Sequence, residues 1–457
     1  MRGFLASSIG VTCAAALALP LTLPASAAPA ALPASGARTA SAAAAPDLPG
    51  STQSLPLTPR TRDRTLGAAP EQGLTRDDVH RFSLVGVTWA DPDTELHGQV
   101  QVRTRATGTG KWSGWQDIDT HNEDHGADPG TAERTSGHVH GSTAPLWVGD
   151  SDGVDVRMRA TAENRRVAEA VEAQQSQLPA GLHLELVDPG AEPSTSGARA
   201  ATDRAAVPLT AETAAASATN TDLVPLGAAE IPALSKQATE RELPTLRGSG
   251  PVRAKPYIGP RPRIVTRRGW GADEKLREKG FVYTKKVKAA FVHHTATGNN
   301  YRCSQAPSVI RGIYRYHVRS SGWRDIGYNF LVDKCGTIYE GRAGGVAKAV
   351  MGAHTLGFNT NSMGIAVLGT FGSAKPSSAA VTAIAKLTAW KLGLYGVNPR
   401  GKTYLKSAGG NLYRKGKNVR LNVISGHRDG FATDCPGRQL YGKLGSARST
   451  SARYQGR

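Results

Sequence analysis

The apolar run Ala289-Ala290-Phe291-Val292 ends in two histidines, His293 and His294, and this feature restricts the fold most. A short apolar run without polar alternation reads as a buried strand, and a strand end is a rigid place to hang a ligand. Val419, Leu421 and Val423 alternate with polar residues and lead into Gly426-His427, so a second strand delivers a second imidazole. Cys435 follows His427 by eight residues, near enough for one loop to carry both. Two imidazoles and one thiolate, with a fourth position open, make a hydrolytic zinc site. By itself a His-His pair is more often a strand end or a solvated patch. A lone cysteine in a secreted chain is more often half of a disulfide. The residues around them decide the matter.

Those residues alternate between strand and helix signals. Ser304 to Ser320 predicts a helix with Ile310, Ile313, Tyr314 and His317 along one stripe. Asn329 to Asp333 and Thr337 to Glu340 flank Lys334-Cys335-Gly336 as a hairpin. Gly364 to Leu368 predicts another buried strand. Pro376 to Tyr395 predicts a helix capped by Ser377 or Ser378. Pro436 suits the first turn of a short last helix carrying Leu440 and Leu444. The expected fold class is therefore α/β: a C-terminal domain over 259–445 with a central mixed β-sheet flanked by helices, and a tail over 446–457.

The N-terminal half reads differently. Arg2, an apolar stretch from about Ile9 to Leu23, and Ala25-Ser26-Ala27 form a secretory signal over 1–27, with a retained anchor as the alternative. Residues 28–75 are rich in Ala, Pro, Ser and Thr and predict a disordered leader. Residues 76–189 predict a smaller all-β domain, with strands at Phe82–Trp89, Val100–Arg105, Leu146–Val148, Val154–Arg159 and Leu182–Val187. Trp112 and Trp115 sit in one of its turns, as anchors more than as sugar platforms. His121, His125, His138 and His140 gather in a polar loop; they could bind metal adventitiously, but they show no defined ligand spacing. Residues 190–258 return to Ala, Thr, Ser, Glu and Pro and predict a second disordered linker. After signal removal no stretch approaches the ~20 apolar residues of a membrane span.

Removing the signal takes Cys13 with it and leaves Cys303, Cys335 and Cys435. A Cys303–Cys335 disulfide would leave Cys435 free as a metal thiolate; intermolecular pairing through Cys435 is the alternative. The net charge is +19. A secretory signal excludes nucleic acid as the partner, and a secreted cation meets anionic wall polymers instead. The chain is expected to be secreted, extracellular or associated with the cell wall.

Six motifs then fall in one order: Ile264-Val265-Thr266-Arg267-Arg268-Gly269-Trp270-Gly271-Ala272, Phe291-Val292-His293-His294-Thr295, Gly322-Trp323-Arg324-Asp325-Ile326-Gly327-Tyr328-Asn329-Phe330, Ile338-Tyr339-Glu340-Gly341-Arg342, Gly352-Ala353-His354-Thr355 and Gly426-His427-Arg428-Asp429. This stretch, roughly 260–445, resembles the peptidoglycan recognition protein family, the zinc-dependent N-acetylmuramoyl-L-alanine amidases, in its secreted actinobacterial form. The resemblance implies one Zn2+ ion held by His293, His427 and Cys435. It implies catalytic roles for Tyr328 and Thr433. It places Thr295, His317, Trp323, Arg342, His354 and Asn359 on the substrate groove, with peptidoglycan stem peptides and glycan as partners. Family members that only bind peptidoglycan typically lose the cysteine ligand, and this chain keeps it. The implied reaction is hydrolysis of the amide between N-acetylmuramic acid and L-alanine. Tyr328 would donate a hydrogen bond to the oxyanion, Asp429 would orient the loop backbone or His427, and no carboxylate is an obvious general base. A wall-binding protein without turnover, and an adhesion protein led by the β-rich domain, are the competing readings.

Overall fold

The structure, a computed structural model, describes residues 50–60, 71–160, 178–191, 209–247 and 256–457. The predicted signal over 1–27, and Cys13 with it, lie outside the described residues.

The N-terminal domain is all β. Its strands are β1 (Ser51–Pro56), β2 (Thr58–Pro59), β3 (Glu71–Arg76), β4 (Phe82–Trp89), β5 (Gly98–Ala106), β6 (Gln116–Ile118), β7 (Gly141–Ser142), β8 (Leu146–Ala160) and β9 (His183–Asp188). They hydrogen-bond in the order β1-β9-β4-β8-β3-β2, with β5 joining β6 to β8 and β7 beside β4. In β5, Val100 and Val102 point inward while Gln101 and Arg103 face out, the period-two alternation of a half-buried strand. They meet Val154, Val156, Leu184 and Leu186 in one core. The two strands expected at Leu146–Val148 and Val154–Arg159 are one long strand, β8.

The expectation of a disordered leader through residue 75 is corrected by β1 and β3. β1 pairs antiparallel with β9, from Ser51 opposite Asp188 to Pro56 opposite His183, and β3 pairs with β8. These strands carry few β-branched residues, and their order comes from the backbone ladder of a neighbour far along the chain.

The C-terminal domain is built on a mixed sheet of β10 (Glu230–Ile231), β11 (Ile264–Val265), β12 (Ala289–His294), β13 (Phe330–Val332), β14 (Ile338–Glu340), β15 (Ser362–Val367) and β18 (Ile424–Gly426), in the order β10-β11-β14-β13-β15-β12-β18. β12 runs parallel to both its neighbours, β15 and β18, and all six of its residues are buried. A separate hairpin joins β16 (Lys402–Lys406) to β17 (Asn418–Asn422). The alternating Val419–Val423 segment was expected to run straight into His427. It is divided instead: β17 belongs to the hairpin, and β18 carries the chain into the main sheet.

The helices are α1 (Ala211–Ala218), α2 (Lys236–Arg247), α3 (Arg267–Trp270), α4 (Ala306–Arg315), α5 (Ser378–Leu394), α6 (Arg438–Tyr441) and α7 (Leu444–Gln455). Ser377 caps α5, accepting from the Ala380 amide. α5 covers one face of the sheet, where Ile384, Leu387 and Trp390 meet Ile365 and Val367. α4 covers the other, where Ile310 and Ile313 meet Leu331 and Ala366. The helix predicted over Ser304–Ser320 is broken: a 3-10 turn at Cys303–Gln305 precedes α4, and a π turn at Tyr316–Ser320 follows it. No described helix is long and apolar enough to cross a membrane.

Two further expectations are corrected. Residues 190–258 were read as a disordered linker, yet α1, α2 and β10 lie within them. Ile231 and Leu243 enter the core of the sheet, and Asn220 Nδ2 donates to Glu340 Oε1 at 2.9 Å. The tail over 446–457 is most of α7. Its Ser451 and Gln455 are buried, and Thr388 Oγ1 of α5 donates to Ser451 Oγ at 3.0 Å. In the linker a few well-placed residues anchor a polar stretch whose average composition reads as unstructured.

The two domains pack together. Leu84 and Val187 of the β domain join the cluster around Ile310 and Ile313 of α4. The Tyr316 hydroxyl reaches Thr143 O at 3.1 Å and Val87 O at 3.2 Å. Gly86 makes this approach possible, because a Cβ there would lie 2.5 Å from the Tyr316 ring.

Candidate metal centre

Strand register builds the centre. Phe291 stands opposite Ser425 and Val292 opposite Gly426 in the parallel β12–β18 pair, so the next residues, His293 and His427, extend side by side from adjacent strand ends. Their Nδ1 atoms are 3.1 Å apart. Strand alternation turns His294 the other way, where its Nδ1 accepts from the Phe371 amide at 3.2 Å. The chain after His427 forms a tight turn. Asp429 accepts from the Gly426 amide at 3.0 Å, in keeping with its expected role on loop backbone, and Arg428 N donates to Cys435 O at 3.0 Å. Thr433 Oγ1 accepts from the Cys435 amide at 3.1 Å, and Cys435 Sγ lies 3.7 Å from His293 Nδ1. The three residues singled out as ligands therefore converge. Cys303 and Cys335 form a disulfide between the start of α4 and the β13–β14 turn, and Cys435 is free and buried.

A fourth donor comes from the β domain. His125 lies in the polar loop between β6 and β7, where no defined ligand spacing was read, and the structure brings it against the three expected ligands. Its ring centroid is 4.6 Å from that of His427 and 5.3 Å from that of His293. One ligand atom from each of His125, His293, His427 and Cys435 falls within 4.8 Å of the others. The hydrogen bonds orient the rings. Asp124 Oδ1 lies 2.6 Å from His125 Nδ1, so that nitrogen donates, and His125 Nε2 is left buried without a hydrogen-bond partner. His427 Nε2 donates to the Asp124 carbonyl at 3.1 Å, which leaves its Nδ1 lone pair facing the cluster. An orphaned imidazole nitrogen among two more ring nitrogens and a sulfur fits a tetrahedral metal ion. Three nitrogens with one thiolate is a zinc-type donor set.

Electrostatics agree. Burial holds the His293 ring well below its ordinary pKa and pushes His427 down to about 3, so both stay neutral and able to ligate. Burial also pushes the Cys435 thiol up, so a thiolate there needs a cation beside it. Burial alone would raise the Asp124 carboxyl, but the adjoining His125 and His427 rings hold it below its ordinary value.

The other expected site residues fall at different distances from the centre. Tyr328 faces the centre, its ring 5.5 Å from that of His293, and burial raises its phenol well above the ordinary value, so it stays a proton donor. His317 stacks on Trp323 at 4.3 Å, Arg342 Nε donates to the Ile326 carbonyl at 2.9 Å, and Asn359 Oδ1 accepts from the His354 amide at 2.7 Å. His354 sits behind His293, its Nδ1 3.3 Å from His293 Nε2. Thr295 is not brought to the cluster; its Oγ1 accepts from the Gly369 amide at 3.0 Å and lies 2.8 Å from Thr297 Oγ1. Glu340, near in motif terms, serves the far side of the sheet, where burial raises its carboxyl to about 7 and Arg267 N donates to it. All the expected groove residues are buried. The β6–β7 loop covers them: Glu133 pairs with both Arg342 terminal nitrogens at 2.8 and 2.9 Å, and Asp128 accepts from Asn359 Nδ2 at 2.7 Å. The sequence held one usable signal for this, a carboxylate directly before a histidine at Asp124-His125. Its partners lie far along the chain in another domain, the Asp124–His427 contact joining residues 303 apart.

Comparison with known proteins follows the same division. Residues 283–438 match a family model described as N-acetylmuramoyl-L-alanine amidase, and residues 38–180 match one described as Rv3811 N-terminal galactose-binding domain-like. Peptidoglycan-recognition protein SC2 of Drosophila simulans is 31% identical over 183 residues, covering 40% of this chain and 84% of that protein. The N-acetylmuramoyl-L-alanine amidase of Homo sapiens is 31% identical over 188 residues, covering 40% of this chain and 28% of that one. The solved structure of wild-type Drosophila PGRP-LB is 25% identical, with a TM-score of 0.32, covering 40% of this chain and 92% of that chain.

Proposed function

Because the chain belongs to the peptidoglycan recognition protein family, we propose that it is a secreted zinc amidase. Its substrate would be the amide bond between N-acetylmuramic acid and L-alanine in bacterial peptidoglycan. The observation that carries this reading is the convergence of His293, His427 and Cys435 on one buried point. The Ala25-Ser26-Ala27 pattern supports secretion, and the +19 net charge suits contact with anionic wall polymers.

When bound, the ion supplies Lewis acidity to the attacking water and the scissile carbonyl. The protein does the rest. Tyr328, kept protonated by burial, donates to the carbonyl oxygen as negative charge grows there. Thr433 holds the Cys435 amide and fixes the ligand loop. Arg342 and Asn359 offer cationic and amide donors to a peptide lying along the groove. Trp323 and His317 form an aromatic wall beside Tyr328.

The test is amine release from a purified muramyl peptide, with and without chelator. It is run on the full chain and on its His125→Ala variant, since His125 stands at the fourth donor position. Release by either chain that stops on chelation is the expected result; no release from either would reject the amidase reading.

In the same assay Tyr328→Phe should lower kcat by about 100-fold, the scale of one oxyanion donor. KM should change little, because the interaction forms only along the reaction path. A raised KM with normal kcat would make Tyr328 a substrate-positioning residue instead.

A further inference from the structure

The β6–β7 loop does not merely touch the metal centre. Between Asn122 and Glu133 it follows the whole wall on which a peptide would lie. The Asp124 carbonyl accepts from the Leu356 amide at 2.9 Å and from His427 Nε2 at 3.1 Å. The Gly126 carbonyl accepts from Asn359 Nδ2 at 2.9 Å. Asp128 adds the Gly357 amide at 2.9 Å. Glu133 closes a bidentate pair with Arg342 and accepts from the Arg324 amide at 3.2 Å. The loop therefore presents backbone carbonyls and two carboxylates to the groove, the chemistry of an acidic peptide substrate. Asp124, His125, Asp128 and Glu133 are all buried. These contacts engage donors of the amidase domain; Arg342 is also held within that domain, where its Nε donates to the Ile326 carbonyl at 2.9 Å. Each loop contact is local to this interface, and the packing of α4 on β4 and β9 holds the loop's root in place.

The centre has the same character. A hydrolytic zinc site keeps one position for water or substrate, whereas four protein ligands make a closed, structural type of site. His125 Nε2 is the only donor of the four that the amidase domain does not itself supply.

We propose that the segment between β6 and β7 is an internal plug. His125 closes the metal site as its fourth protein ligand, and the peptide around it fills the substrate groove. The full chain rests in a latent state, and turnover begins when this segment leaves. The inference takes only the identity of the blocked reaction from the amidase reading. Because plug and substrate peptide compete for the same donors, observed turnover equals intrinsic turnover multiplied by the fraction of chains with the plug displaced. His125→Ala removes the ligand that seals the centre. Glu133→Gln keeps all four donors and chiefly weakens the grip on Arg342, since a neutral amide cannot make the paired charged contact.

The experiment loads the full chain with cobalt(II), whose visible absorption reports its ligand set, and adds acetohydroxamate as a small metal-binding probe. The wild-type spectrum should not respond. The His125→Ala spectrum should differ from wild type before the addition and shift after it. Amine release from a muramyl peptide should rise about tenfold or more in His125→Ala, as expected if the plugged state is favoured by about ten to one or more. Glu133→Gln should also release faster than wild type, and it decides the matter if His125→Ala fails to fold. A wild-type spectrum that shifts as readily as the variant's would overturn the plug, as would wild-type turnover equal to that of both variants. A correct hydroxamate response with no amine release from any chain would leave the plug standing and reject the amidase reading.

Discussion

Cys435→Ser is expected to empty the metal centre and end hydrolysis together. A neutral hydroxyl is a poor zinc ligand beside a thiolate. Even the loss of a residue that merely orients a ligand costs about 10–100-fold in metal affinity, so the loss of a ligand itself should exceed that range. Cys435 is also the only donor of the four that brings negative charge, and without it the ion keeps its full charge at a site that is 0% exposed at His293 and His427. Metal analysis after dialysis should show about one zinc per wild-type chain and little in the variant. The ion's contribution to stability should vanish in parallel, since a ligand that binds only the folded state stabilises it by mass action. Chelator should therefore lower the wild-type melting temperature and leave that of Cys435→Ser unchanged. Full zinc occupancy in the variant would overturn the ligand assignment. Turnover should be compared in the His125→Ala background, so that an occupied groove does not hide the loss.

The C-terminal site was legible because its signals are local. An apolar run ending in His293, and His427 with Cys435 eight residues on, carry their meaning in short windows. The sheet turns those windows into geometry through a single register, Val292 opposite Gly426. The break between β17 and β18 was not legible. The alternation Val419, Leu421, Val423 continues across it, and only tertiary pairing assigns the two halves to different sheets. The segments read as leader, linker and tail fail for one reason: β1, α1, α2 and α7 take their order from distant partners. Asn220 meeting Glu340 is such a case, 120 residues apart. His125 is the sharpest. Nothing in its loop has ligand spacing, because its fellow ligands belong to another domain and only docking brings them within reach. The hydrogen-bonded pair Asp124-His125 is the one local trace of that role.

Trp270→Ala should be strongly destabilising, because its ring fills the packing between α3 and α4. Trp270 is 0% exposed, and its ring packs edge-on against Tyr314 at 5.7 Å, with the Arg267 guanidinium 5.3 Å from its centroid. Its Nε1 donates to Glu340 O at 2.7 Å. Truncating a buried tryptophan costs about 3–5 kcal/mol through lost transfer energy and the cavity left behind. The stranded Glu340 carbonyl adds about 1–3 kcal/mol if no water reaches it. The cavity would open beside Arg267, whose charge is buried against Glu274 and Asp325, so the variant also loosens the wall of an ionic cluster. Trp112 is the control. It is 36% exposed and stacks beneath Arg103 at the edge of the β domain, 5.3 Å from guanidinium carbon to ring centroid. Trp112→Ala should cost about 1 kcal/mol or less, the scale of an exposed cation–π contact. Urea unfolding of the full chain, followed by circular dichroism, should place the Trp270→Ala midpoint well below wild type and the Trp112→Ala midpoint close to it. Equal midpoints for the two variants would mean that the α3 turn contributes little to the domain's stability.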